Sequence, residues 1–457
     1  MPMTNTIFNE REIFEILERT ARPPNQRVLE VIQKARGTKG LTLKEVGCLI
    51  NSGNETLPQL FETAKFIKNQ IYGERLVFFA PLYVSSFCVN DCAYCGFHLQ
   101  NKAPRKKLTL EEIKQQTEIL VDMGHKRLLL EFGEDPKNNP IDYVVEVIKT
   151  IYATKVGRGE IRRVNVNLAA TSIDDYKKLK ATGIGTYQLF QETYHYDTYQ
   201  NLHHGPKADF IRQLTAHDRA FEAGIDDLGI GVLFGLYDWR FEALALVAHA
   251  EYLDKTHGVG PHTISVPRFR PAPTVNFRPP WPVSDEDFLK LIAILRLAVP
   301  YAGMIISTRE TPELRERAFT IGISQTSAGS RTSPGGYGKE KTVAQFNISD
   351  GRPLDAVLKS VMEQGLLPSF CTACYRSGRT GDKFMEYAKS GNIQNFCRPN
   401  ALLTFKEYLE DYADSAIKIK GEQVINQYLS QIPNEIIRAR TEEKLKMIES
   451  GLRDLYF

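Results

Sequence analysis

No apolar run in this sequence is long enough to cross a membrane, and neither sign of charge dominates. The 58 basic and 55 acidic residues leave a net charge of +3. That balance gives no electrostatic case for a nucleic-acid or membrane partner. Strong internal repeats and low-complexity tracts are missing too. The opening stretch, MPMTNTIFNEREIFEILERT, carries acidic groups early and no apolar segment. It does not read as a secretory leader, and the expected compartment is the cytoplasm. Cysteine is scarce, with 7 among 457 residues. Thiols are kept reduced in that compartment, so close cysteine spacings point to metal or redox chemistry. What remains is ordinary globular material, 42% hydrophobic and 25% charged. That is enough apolar matter for two or three domains, or for one large barrel with appendages.

Three regions are expected. Residues 1–75 read as a helical amino-terminal extension, with amphipathic stretches such as EREIFEILERTA and LTLKEVGCLIN. From about residue 76 to 339, eight short apolar, β-branched or aromatic runs alternate with helix-periodic segments. The runs are VFFAPLYVSS, KRLLLEFGE, RRVNVNLAA, TYQLFQET, DDLGIGVLFGL, HTISVPRFRPA, GMIISTRE and FTIGISQTSAGS. Helix starts are marked by Thr109 with Glu112, by Ser172 with Asp175 and by Ser284, and Gly124 marks a stop. Alternation of this kind implies parallel strands with right-handed crossovers. Eight units over this length match a complete (β/α)8 TIM-type barrel, with an open doubly wound sheet as the other arrangement. Residues 340–457 lose the rhythm and read as a mainly helical carboxyl-terminal module. In a barrel, the polar, aromatic and glycine-rich loops after the strands collect at one face, where chemistry is expected.

Six of the seven cysteines fall in two trios. Cys88-x3-Cys92-x2-Cys95 follows the first strand, and Cys371-x2-Cys374-x22-Cys397 lies in the last region. Cys48 stands apart and reads as a buried helix residue. Structural zinc sites usually take four ligands. Three thiolates suit a [4Fe-4S] cluster with one iron open to substrate or cofactor, and a zinc knuckle is the other reading. For the second trio a zinc site lacks a fourth ligand of the usual kind, because no histidine follows His262.

C-x3-C-x-aromatic-C after the first strand, with Tyr94 before the last cysteine, resembles the radical S-adenosylmethionine (SAM) superfamily. With GIGVLFGLYDWR, GPHTISVPRFRPA, ISQTSAGSRTSPGGY and the second trio, nearly the whole chain resembles the HydG group of [FeFe]-hydrogenase maturases. The resemblance implies two [4Fe-4S] clusters, one chelating SAM and one carboxyl-terminal with a labile extra iron. It implies a radical lyase that cleaves the Cα–Cβ bond of L-tyrosine to p-cresol and dehydroglycine. Dehydroglycine would then yield CO and cyanide on the second cluster, for an iron–carbonyl–cyanide unit used in H-cluster assembly. The related aromatic amino-acid lyases of thiamine thiazole synthesis stop at dehydroglycine, and they form the alternative. Gly133 and Glu134, in FGE, stand where the superfamily has a GGE motif meeting the SAM amino group. Glu192 is assigned to the SAM ribose or the substrate amine, and Arg212 to the SAM carboxylate. Arg309 is expected on the tyrosine carboxylate, because a guanidinium binds carboxylate through two bonds, and Ser327 adds a hydroxyl there. His262 is implied as a ligand of the labile iron, together with L-cysteine. Implied partners are other maturases, a scaffold, and an electron donor such as ferredoxin or flavodoxin.

Overall fold

The computed structural model describes residues 7–338 and 342–457. The boundary expected at 339–340 lies outside the described residues, as do the first six residues of the amino-terminal stretch.

Eight parallel strands form a closed barrel, β1 (Arg75–Ser85), β2 (Arg127–Phe132), β3 (Arg163–Asn167), β4 (Tyr187–Gln188), β5 (Leu228–Gly231), β6 (Thr263–Ser265), β7 (Gly303–Ile306) and β8 (Gln325–Ser327). Each pairs with the next, and β8 returns to β1 in the register Val77↔Gln325 to Phe79↔Ser327. The open-sheet alternative is thereby excluded. The last run begins later than its composition suggested. Phe319–Ile321 complete the helix Pro312–Ile321, and only Gln325–Ser327 are extended.

Alternation along a strand sends successive side chains to opposite faces. On β1, Leu76, Phe78, Ala80 and Leu82 are fully buried and belong to the main hydrophobic core. Val77, Phe79, Pro81 and Tyr83 line internal cavities instead. The same split on β2 sends Leu128 and Leu130 into the core and Arg127, Leu129 and Glu131 inward. Phe79, Leu129 and Ile305 make an apolar layer inside the barrel.

The helices begin where local chemistry allows. Thr109 and Glu112 cap each other's backbone at 2.7 and 3.2 Å, a capping box worth about 1 kcal/mol. Ser172 and Ser284 cap in the same way without the reciprocal bond. Gly124 ends its helix at φ +92°, a conformation that L side chains rarely adopt.

Helices over 10–72 pack on the barrel helices Trp239–His257 and Asp285–Ala298. Cys48, in the helix Leu43–Ile50, is half-buried rather than buried. The carboxyl-terminal residues are tied to the barrel by a ninth strand, β9 (Leu367–Ser369), which pairs with the start of β1 from Arg75↔Leu367 to Val77↔Ser369. Among the described residues no helix is long and apolar enough to cross a membrane.

Candidate active site

At the carboxyl ends of the strands a cavity of about 190 Å³ opens. Cys88, Cys92 and Cys95 line it, on the loop that leaves β1 at Ser85. The loop is held by backbone bonds to the turn after β2, from Val89 N to Glu134 O at 2.7 Å and from Gly133 N to Ser85 O at 2.9 Å. Arg105 also clamps it, donating to the carbonyls of Ser86, Phe97, His98 and Leu99. Burial pushes all three thiols up, Cys95 to about 12, and neighbouring thiolates add to the effect at Cys92 and Cys95. A buried set of thiolates asks for a compensating cation.

Among the described residues no three His, Cys, Asp or Glu side chains are drawn together tightly enough to hold one metal ion. Three cysteines on one loop are the donor set that a multinuclear iron–sulfur cluster takes. The nearby His203 is engaged at both ring nitrogens, by Tyr94 Oη at 2.8 Å and Tyr199 O at 2.8 Å. It is not available as a fourth ligand.

Around the thiols stand the side chains expected from the sequence. A Cβ on Gly133 would lie 2.2 Å from the Phe87 carbonyl oxygen, so only glycine lets the β2 turn approach the cysteine loop this closely. Glu134 accepts from Asn90 Nδ2 at 2.6 Å and pairs with Arg212 Nη2 at 2.7 Å. Arg212 is therefore not a solvated helical arginine, since it reaches the mouth of the cavity. Glu192 follows β4 with φ +70°, a strained conformation for a non-glycine residue, which turns its carboxylate into the cavity. It pairs with Lys207 Nζ at 2.6 Å. Burial alone would lower the Lys207 pKa, but Glu192 and Cys92 raise it.

Arg309 follows β7, with its guanidinium 3.3 Å from the Phe346 ring centroid. Burial lowers its pKa, against Tyr83, Glu192 and Glu131, which raise it. Among the described residues its guanidinium donates no hydrogen bond, so it faces the cavity with its capacity unused. Ser327 is the last residue of β8 rather than part of the following loop, and it too lines the cavity.

The second trio lies at the opposite, amino-terminal end of the barrel. Cys371 follows β9, Cys374 sits in the helical turn Ala373–Arg376, and Cys397 in the helix Gln394–Asp411. They line a cavity of about 40 Å³ with Arg75, Arg127, His262, Gln325, Tyr375 and Phe384. Burial pushes Cys374 up to about 12, with Cys397 and Cys371 adding to it. Burial raises Cys397 as well, and Arg75 opposes it. His262 Nδ1 lies 3.0 Å from Asp227 Oδ2, and its ring stacks on Phe384 at 3.8 Å. Although burial disfavours its charge, Asp227 is held below the usual carboxylate range by His262 and Arg163. On the wall of the smaller cavity Arg127 donates to Gln325 Oε1 at 2.8 Å.

All the residues singled out from sequence thus lie at one cavity or the other, except Arg212, which reaches the first through Glu134. Sequence reasoning missed Lys207, Asn90, Glu131, Asn167 and Asp227. Lys207 and Asn167 stand outside the motifs, while Asn90 lies between Cys88 and Cys92 and Glu131 just before FGE, where the cysteines and Glu134 drew the reading. Asp227 and Glu131 stand next to strand residues that were read only as apolar runs, where a charge facing inward was the available signal.

The radical SAM superfamily model matches residues 82–248, and that of the biotin and thiamin synthesis associated domain matches residues 265–367. The 2-iminoacetate synthase of Escherichia coli (strain K12) is 32% identical over 341 residues, 74% of this chain and 89% of that protein. A crystal structure of HydG, described as a maturase of the [FeFe]-hydrogenase, superposes with a TM-score of 0.96 at 55% identity. It covers 99% of this chain and 100% of the other. The [FeFe]-hydrogenase maturase HydG from Carboxydothermus hydrogenoformans follows at 0.85 and 40% identity, covering 96% of this chain and 99% of the other. A radical SAM enzyme implies a [4Fe-4S] cluster and SAM, and the first trio supplies three thiolates of the kind such a cluster takes. Full-length agreement at this identity settles the lineage: the chain belongs to the radical SAM superfamily and, within it, to the HydG family of [FeFe]-hydrogenase maturases.

Proposed function

We propose that this radical SAM maturase is a tyrosine lyase with two successive sites. The single observation that carries the reading is the pair of three-thiol cavities at opposite ends of one barrel, one large and one small. The larger carries the charged groups that an amino acid and SAM call for, Glu134, Glu192 and Arg309. The smaller is lined by the second trio, His262 and aromatic rings, and holds none of the groups assigned to tyrosine.

In the first cavity Cys88, Cys92 and Cys95 would hold a [4Fe-4S] cluster, leaving one iron for SAM. When bound, that pair would supply a 5′-deoxyadenosyl radical. Glu134 and Gly133 would receive the SAM amino group, with Arg212 exchanging its contact on Glu134 for the SAM carboxylate. Glu192, fixed by Lys207, would meet the ribose or the substrate amine. Arg309 would hold the tyrosine carboxylate, and Ser327 would donate a hydroxyl to it. Cleavage of the Cα–Cβ bond would give p-cresol and dehydroglycine.

In the second cavity Cys371, Cys374 and Cys397 would hold another [4Fe-4S] cluster. His262, oriented through Nδ1 by Asp227, would present Nε2 to a labile iron. A carboxylate behind a ligating imidazole fixes its orientation in this way at many metal sites. L-cysteine would complete the ligand set. The products there would be CO and cyanide, delivered as an iron–carbonyl–cyanide unit to a scaffold and other maturases, with ferredoxin or flavodoxin as electron donor. Residues 1–75, 76–339 and 340–457 would serve as cover, lyase barrel and second-site module.

The test is anaerobic turnover with SAM and tyrosine, followed by chromatography for p-cresol and infrared detection of iron-bound CO and cyanide. p-Cresol alone would favour the dehydroglycine-supplying reading of thiamine thiazole synthesis. Its absence would remove the lyase reading.

A further inference from the structure

Three carboxylates line the larger cavity, Glu131, Glu134 and Glu192. Two are committed, Glu134 to Arg212 and Asn90, and Glu192 to Lys207. Glu131 is the one of the three that, among the described residues, has no cation at ion-pair distance.

It sits on β2 between Tyr83 of β1 and Asn167 of β3, at the same level of the barrel. The groups that face it are Tyr83, Asn167, Arg309 and Glu192. Asn167 and Arg309 both stand close enough to favour its charged form, and neither pairs with it as an ion pair. The Glu131 side chain faces the cavity's interior, which protein encloses. Burial therefore dominates, and its carboxyl is pushed up to about 8 in spite of Asn167 and Arg309, with Glu192 adding to the rise.

This inference rests on the tyrosine-lyase reading. The ammonium of an amino acid sits one carbon from its carboxylate, so an acceptor for it must stand near Arg309. The product of cleavage is an imine, HN=CH–COO⁻. To reach it, the NH₃⁺ group must lose one hydrogen atom and one proton. The radical accounts for the atom, and the proton needs a base. We propose that Glu131 is that base, taking the α-ammonium proton of the bound substrate before cleavage. One N–H bond breaks with its electron pair left on nitrogen, one O–H bond forms on Glu131, and no electron is gained or lost. A carboxyl held near the basicity of an amine is matched to this transfer, since proton transfer is efficient when the two affinities are close.

The test uses reconstituted holoenzyme. Glu131→Gln keeps shape and removes the base. Iron content and SAM binding should stay as in wild type, while p-cresol formation falls by about 10²- to 10⁴-fold. Wild-type kcat/KM should rise with pH through about 8. The residual E131Q rate should lose that step and climb only as the substrate amine deprotonates. Equilibrium dialysis gives a reading independent of turnover. E131Q should bind tyrosine about tenfold more weakly, and its desamino analogue, 3-(4-hydroxyphenyl)propanoate, as wild type does. An equal loss for both ligands, an unchanged pH profile or near-wild-type p-cresol formation overturns the proposal. Should E131Q not fold, Asn167→Ala carries the test. Loss of its support for the charged carboxylate should move the rising limb to higher pH, and an unmoved limb overturns the proposal. Wild-type enzyme that makes no p-cresol removes the lyase reading itself. Wild-type activity with an unaffected E131Q removes only the role of Glu131.

Discussion

Gly133→Ala perturbs the closest approach between the β2 turn and the cysteine loop. The added methyl would lie 2.2 Å from the Phe87 carbonyl oxygen, 2.9 Å from its carbon and 3.1 Å from Cys88 Cβ. Real Cβ atoms essentially never come within 3.0 Å of another heavy atom, so backbone must separate by roughly 1 Å. The atoms struck are backbone, which cannot swing aside as a long side chain would. Overpacking of this kind costs about 1–3 kcal/mol in stability. The functional effect should be larger than the thermodynamic one, because the shift falls on Cys88 and on the bond from Gly133 N to Ser85 O. A misplacement of about 1 Å at a reacting centre costs roughly 10²-fold in rate. The assay is 5′-deoxyadenosine release from SAM under reducing, anaerobic conditions, with iron content and thermal melting measured alongside. G133A should melt lower and release 5′-deoxyadenosine roughly 10²-fold more slowly. Wild-type SAM cleavage in G133A would refute the claim that this glycine sets the geometry of the first site.

Cys92→Ala should abolish SAM cleavage altogether, read by the same assay. Cys374→Ala combined with Cys397→Ala should leave p-cresol formation largely intact while CO, trapped by haemoglobin, disappears. Loss of both products would count against separable sites. Arg309→Ala should raise the tyrosine KM by roughly 10- to 100-fold, the range expected for a charged hydrogen-bonding partner of about 1.5–3 kcal/mol, and an unchanged KM removes it from the carboxylate. His262→Ala should leave cresol formation in place and lower the iron count by the labile ion, as measured by iron analysis and electron paramagnetic resonance.

Much of the barrel was legible in the chain. Period-two runs such as RRVNVNLAA and capping residues such as Thr109 mark strand and helix starts through local forces that act within a few residues. The cysteine spacing 88–92–95 was legible for the same reason, since all three ligands lie on one loop. FTIGISQTSAGS was misjudged at its start. Phe319–Ile321 are apolar, yet the helix from Pro312 carries through them, because a short apolar run is compatible with either element. Strand β9 was not legible at all. Leu367–Ser369 are three residues whose partner, Arg75–Val77, is distant in the chain and is brought beside them only by the tertiary fold.

The roles of individual charges divide along the same line. By itself the sequence determined that two sets of three thiols exist and that each falls one short of a closed metal site, because ligand number and spacing are properties of the chain. Only the tertiary structure decided that the sets lie at opposite ends of one barrel, that His262 joins the second across more than a hundred residues, and that Glu131 faces inward without a cation. These facts depend on which strands are neighbours and which face each side chain takes. Both are fixed by burial of the whole apolar surface at once, and not by any local stretch of residues.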